Sequence, residues 1–178
     1  MKRVLLVMVA ALMISSVAMA DFIGVYSDAN GTTCDLTGAG QFTASATVIY
    51  KGFTPGGSTG ARFKVVGPAG SWIFGFATPY VTIGTISNDL SIAFGTCIEG
   101  VFPLGTMQAI WASGTGGEVL PSDGYPNIIM TDCQFGEYPA GGGTFCVEQG
   151  ACNCAWCLWC PPVGTQQSTW GQVKALYR

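Results

Sequence analysis

Eight cysteines and no histidine set the limits on what this chain can do. Cys34, Cys97, Cys133, Cys146, Cys152, Cys154, Cys157 and Cys160 make an even set, and five of them crowd between Cys146 and Cys160. Three chemistries fit. Oxidised in pairs, they make four structural disulfides. Kept as thiolates, Cys152-x-Cys154-x-x-Cys157-x-x-Cys160 is tight enough for a four-thiolate zinc or iron–sulfur site. Trp156-Cys157-Leu158-Trp159-Cys160-Pro161 also carries the Trp-Cys-x-x-Cys-Pro pattern of a redox dithiol. That chemistry needs its first thiol at a helix N-terminus, where the dipole lowers the pKa. Here Pro161-Pro162 follow at once and no βαβ pattern precedes.

The first twenty residues decide among the three. Met1-Lys2-Arg3 is a short basic start, Val4 to Ile14 is apolar, and Ala18-Met19-Ala20 is a small-x-small site. This reads as a secretory signal peptide cleaved after Ala20, too short and wrongly flanked to span a membrane. Thiols in an exported chain meet oxidising conditions, which favours disulfides over metal binding. Eight cysteines allow 105 connectivities. Cys34 and Cys97 flank the predicted β domain and are placed to staple it, and the Cys146–Cys160 group suits a knot that includes Cys133. A bridge closing tens of residues stabilises by about 3–4 kcal/mol through the unfolded state.

Other chemistries are poorly served. Without histidine there is no Ser-His-Asp or Cys-His catalysis and no His-containing metal site. Among the carboxylates Glu99, Glu118, Asp123, Asp132, Glu137 and Glu148, no spacing singles out a glycosidase pair. Asp28-Ala29-Asn30-Gly31 opens like a calcium loop, but the twelfth position is Ala39 where a bidentate Glu is required, so a plain turn is expected. Asn30-Gly31-Thr32 is a formal glycosylation triplet. After signal cleavage only Lys51, Arg62, Lys64, Lys174 and Arg178 are basic, against ten acidic residues. Nucleic acid and anionic membrane are therefore not expected as partners. Trp72, Trp111, Trp156, Trp159, Tyr80 and Tyr125 supply aromatic surface for stacking sugars, with Trp72 and Trp111 expected in the core. Of the others, Trp156, Trp159 and Tyr125 are the candidate stacking residues.

The elements that position these residues follow period two. Gln41 to Tyr50 alternates Phe42, Ala44, Ala46, Val48 and Tyr50 with Thr43, Ser45 and Thr47, and Ala61, Phe63 and Val65 alternate with Arg62 and Lys64. Further strands fit Phe22 to Tyr26, Ser71 to Ala77, Tyr80 to Ile86, Leu90 to Thr96, Thr106 to Ala112, Asn127 to Cys133 and Thr144 to Glu148. Short strands spaced near ten residues apart predict an all-β protein, an antiparallel immunoglobulin-like or cohesin-like sandwich, with a jelly roll as the alternative. Its expected span is 21–135. A Gly/Cys-rich disulfide-stapled segment, 136–164, follows; within it Pro139-Ala140-Gly141-Gly142-Gly143 reads as flexible. In the tail, 165–178, Thr169 and Gln172 have capping-box spacing. Trp170, Val173, Leu176 and Tyr177 share one helical face there.

The tail Ser168-Thr169-Trp170-Gly171-Gln172-Val173-Lys174-Ala175-Leu176-Tyr177-Arg178 resembles an ending shared by many exported proteins of uncultured bacteria. Ile23-Gly24-Val25-Tyr26-Ser27-Asp28 with Cys34 is similar to their N-termini. The resemblance implies a bacterial exported protein with a cysteine-bearing β domain and carries no activity. It also suggests that the tail is a sorting or docking tag, set against an amphipathic helix docked on its own domain. These observations together predict a non-enzymatic secreted or cell-surface protein used in structure or adhesion, with no cofactor and no transmembrane segment once the signal is removed. Its expected partners are a surface protein or polysaccharide and the export machinery. The alternatives are a carbohydrate-binding module and, third, a metal-binding protein using the Cys cluster.

Overall fold

In the computed structural model the described residues are 21–36, 44–53, 55–111 and 116–147, and they form strands and turns with no helix among them. The strands are β1 (Phe22–Tyr26), β2 (Ala44–Lys51), β3 (Ser58–Val66), β4 (Trp72–Ala77), β5 (Val81–Thr85), β6 (Asp89–Ile98), β7 (Val101–Ile110), β8 (Gly117–Leu120), β9 (Ile128–Asp132), β10 (Glu137–Gly142) and β11 (Thr144–Phe145). They run in the order β11-β8-β3-β9-β10-β1-β2-β7-β4, with β6 also bonded to β3 and β5 bonded to β6. This ribbon folds over into two layers, β5-β6-β3-β9 and β1-β2-β7-β4, with one core between them.

Alternation in β3 works as the sequence predicts: Ala61, Phe63 and Val65 are buried, and Arg62 and Lys64 face out. β3 is the hub. One side of it bonds to β6, and its other side bonds to β9 over Ser58 to Arg62 and then to β8 over Lys64 to Val66. In β2 alternation holds through Thr47 and then stops. The partner β7 passes from Gly105 to Pro103 opposite Val48 and Ile49, leaving Leu104 as an extra, fully buried residue. Beyond this bulge Val48, Ile49 and Tyr50 are all buried. Aromatic rings fill that end of the core: Tyr50 lies 4.9 Å from Phe102, Phe102 5.2 Å from Phe94, and Phe94 5.3 Å from Tyr80.

A buried polar cluster pins the two layers together. The Asp21 carboxylate, 1% exposed, accepts hydrogen bonds from the Tyr50 and Tyr138 hydroxyls and from the Phe53 amide at 2.7 Å. Ser58 Oγ completes it, 2.6 Å from the Tyr138 hydroxyl and 2.9 Å from that of Tyr50. Each polar atom here has partners, which a buried polar group requires.

Several expectations need correction. Cys97 bonds to Cys133, with Cα atoms 5.5 Å apart, so Cys133 is not part of a C-terminal knot and Cys97 is not paired with Cys34. The backbones of Cys34 and Cys146 meet through Cys146 N–H to Cys34 O at 2.9 Å. Glu137–Gly142 is a strand, not flexible chain, and the strand expected from Thr144 is present at Thr144–Phe145. Its glycines are close-approach residues: a β-carbon on Gly142 would stand 2.0 Å from the Val119 carbonyl oxygen. Trp72 is exposed rather than core, whereas Trp111 is buried against Phe145 at 5.3 Å. Cys152, Cys154, Cys157, Cys160, Trp156, Trp159 and the tail residues Trp170, Val173, Leu176 and Tyr177 lie outside the described residues.

Candidate docking surface

The outer face of β5-β6-β3-β9 is where apolar side chains collect without cover. Strand register lines them up in rows. Val81 stands opposite Ala93, Ala93 opposite Gly60, Gly60 opposite Thr131, and Thr131 opposite Glu137. The next row runs Ile83, Ser91, Arg62, Ile129, Pro139. Val81 and Ile83 are 72% and 76% exposed. Between the rows and the surrounding turns is a shallow groove of about 640 Å³.

Local sequence explains the shape. β5 and β6 form a tight hairpin closed by Asn88 N–H to the Thr85 carbonyl at 3.1 Å. Gly84 has φ +87°, and a β-carbon there would fall 1.8 Å from the Asp89 carbonyl oxygen, so only glycine lets the strands close. The hairpin buries Leu90, Ile92 and Phe94 inward, which commits Val81 and Ile83 to the outside.

Each end of the groove is held by a different device. At one end the Arg62 guanidinium grips Asp89 with two bonds, Nε to Oδ1 at 2.9 Å and Nη2 to Oδ2 at 3.0 Å. It also donates to the Tyr125 hydroxyl and lies 4.3 Å from the centre of that ring. The guanidinium beside Asp89 holds its carboxyl below the usual range. At the other end, the β9–β10 turn presents Phe135, 80% exposed and with φ +64°. The turn is fixed from both sides. Asp132 Oδ1 accepts the amides of Gln134 and Gly136 at 2.8 and 2.7 Å, and the Cys97–Cys133 bridge ties it to β6. A non-glycine residue at positive φ persists only where its surroundings impose it, and such sites cluster at binding surfaces.

The sequence pointed to Tyr125 as a stacking residue; it lies in this groove, with the Arg62 guanidinium already against its ring. Phe135, Val81 and Ile83 were not singled out by the sequence. An apolar residue on an edge strand looks the same in a sequence whether it faces core or solvent. The chemistry of the groove is that of contact: apolar area framed by a neutralised Arg–Asp pair. Among the described residues no three His, Cys, Asp or Glu side chains gather as a metal site.

No protein-family model matches the chain, and no curated protein matches it. Among solved structures, the sixth cohesin of scaffoldin B from Acetivibrio cellulolyticus, in complex with a mutant Cel5 dockerin, is similar with a TM-score of 0.50 and 15% identity. The match covers 72% of this chain and 99% of that one. A cohesin module from a family 33 glycoside hydrolase of Clostridium perfringens has a TM-score of 0.49 at 8% identity, over 73% of this chain and 98% of its own. A non-cellulosomal cohesin from the archaeon Archaeoglobus fulgidus has 0.48 at 12%, over 72% and 91%. The fold is a cohesin-like β-sandwich, as the sequence predicts.

Proposed function

We propose that this chain is a non-enzymatic, exported docking module that holds a protein partner at the secreted or cell-surface end of its route. The observation that carries the reading is the groove lined by the exposed apolar side chains of Val81, Ile83 and Phe135, held by a disulfide on one side and an Arg–Asp pair on the other. Exposed apolar patches of this kind, rimmed by polar residues, mark interaction sites. Rigid, preformed surfaces of this sort bind with a smaller ordering cost. The similar cohesin from A. cellulolyticus is in complex with a dockerin, and a protein partner for this chain is proposed by analogy with it. Export rests on the signal-like start from Met1 to Ala20.

The test is affinity capture from the cell-surface fraction of the source organism, with the chain from Asp21 to Arg178 as bait and Ile83→Asp alongside. A partner retained by the parent and lost from the folded Ile83→Asp bait supports the reading. The same proteins on both baits would reject this face.

A further inference from the structure

The opposite layer carries a second uncovered surface of different chemistry. It ends at β4, which among the described strands bonds only to β7. On its outside Trp72 is 64% exposed, and Phe74 is exposed beside it, with ring centroids 5.4 Å apart and planes inclined by 51°. A bulge produces this arrangement. The β4–β7 register passes from Ile73–Ala109 to Gly75–Gln108, skipping Phe74. Strict alternation from Trp72 would send Phe74 and Phe76 both outward; the extra residue turns Phe76 in against the core and leaves two rings outside.

The floor behind the rings is uncharged and, past Ile110, polar. Ile110 lies opposite Trp72, Gln108 opposite Gly75 and Ser45, and Thr106 opposite Ala77 and Thr47. A β-carbon on Gly75 would meet Gln108 Oε1 at 3.3 Å, so that amide lies across the glycine. None of residues 44–47, 72–77 and 106–110 is charged, in a chain of net charge −3.

We propose that this face binds a neutral polysaccharide. Sugar rings present apolar C–H faces to aromatic side chains, and their hydroxyls need partners that both donate and accept. Ser45, Thr106 and Gln108 do both. The absence of charge selects against charged polymers and leaves no ion to desolvate on contact. Held on a paired strand, the rings lose little freedom on binding. A second copy paired edge to edge is disfavoured, because the bulge interrupts the ladder that such pairing requires. The site is independent of the docking groove on the other layer.

The experiment is depletion of the chain from Asp21 to Arg178 from solution by insoluble cellulose and chitin, with tryptophan fluorescence titration by xylan and a soluble β-glucan. Retention on at least one of these is expected, weakened at least about tenfold in Trp72→Ala and in Phe74→Ala, with circular dichroism unchanged. Ile83→Asp tests the groove separately and should bind glycan as the parent does. No retention on any of the four, or equal retention by Trp72→Ala, overturns the proposal. So does a concentration-dependent dimer in size-exclusion chromatography that Trp72→Ala abolishes, which would assign the face to a second copy.

Discussion

The Tyr138 hydroxyl donates to the Asp21 carboxylate at 2.5 Å, joining residues 117 positions apart. Removing that donor leaves a buried carboxylate short of a partner. Tyr138→Phe is expected to lower the unfolding free energy by about 1–3 kcal/mol in urea titration. The same cluster predicts behaviour in alkali. Burial, and then the Asp21 carboxylate beside them, raise both Tyr50 and Tyr138 above their ordinary 10.0. The folded chain therefore holds these protons longer than the unfolded one. Their contribution is whole below pH 10 and is lost as pH rises through the folded values. A melting temperature that stays flat from pH 9 to 11 would count against the arrangement.

Besides the exposed Asp89 beside Arg62, acid acts on Asp28. Burial alone would raise this carboxyl, but the backbone amides of Thr32, Thr33 and Asn30 outweigh it and hold the pKa below 3.8. The bonds to Thr33 and Asn30 are 2.7 and 2.8 Å long. A depressed carboxylate stabilises the fold above its unfolded pKa, and that stability fades as pH falls through the folded one. Thermal melts should therefore drop below about pH 4, and Asp28→Asn should flatten that part of the profile. An unaltered acid limb in the variant would reject the assignment.

The Cys97–Cys133 bridge closes a separation of 36 residues. In the chain-entropy account such a bridge stabilises by about 3–4 kcal/mol. The double variant Cys97→Ala, Cys133→Ala should lose about that much in guanidinium titration while keeping its far-ultraviolet spectrum. A loss under about 1 kcal/mol would mean that the Asp132 turn and the β9–β10 pairing hold this end without the bridge.

Phe135 offers a test that runs the other way. Its positive φ costs a side-chain-bearing residue about 1–2 kcal/mol. Its ring is almost wholly in solvent and returns little packing. Phe135→Gly should raise the melting temperature by the equivalent of about 1 kcal/mol, and Phe135→Ala, which keeps the strain, should not. Glycine less stable than phenylalanine would show that the ring is stabilised by contacts within the fold.

What the sequence revealed and hid follows one rule. Where one face is core and the other solvent, as in Ala61 to Val65, period two reads directly. It failed where strand chemistry is set by a neighbour's backbone. Pro139 and Gly141 look like breakers, yet β1 begins beside Gly141, so Pro139 lies on a stretch of β10 bonded, among the described strands, to β9 alone and needs no second partner for its missing N–H. Trp72 failed for a related reason. A one-residue bulge decides which aromatics of β4 face out, and bulges leave no mark in hydropathy. Fold class was therefore legible, and of the two candidate surfaces only Tyr125 was, because the rest of each is made by register rather than composition.

The parallel pairing of β1 with β10 has a consequence in time. Phe22 and Ile23 bond to Gly141 and Gly142, so the first of the described strands to leave the ribosome must wait for almost the last of them. Until then β1 can pair only with β2, and the Asp21 carboxylate has no Tyr138 to meet. Such distant closure makes folding slow and late. A chain built this way keeps its first described strand half-paired through most of synthesis and completes that sheet only when residues near Gly142 are available.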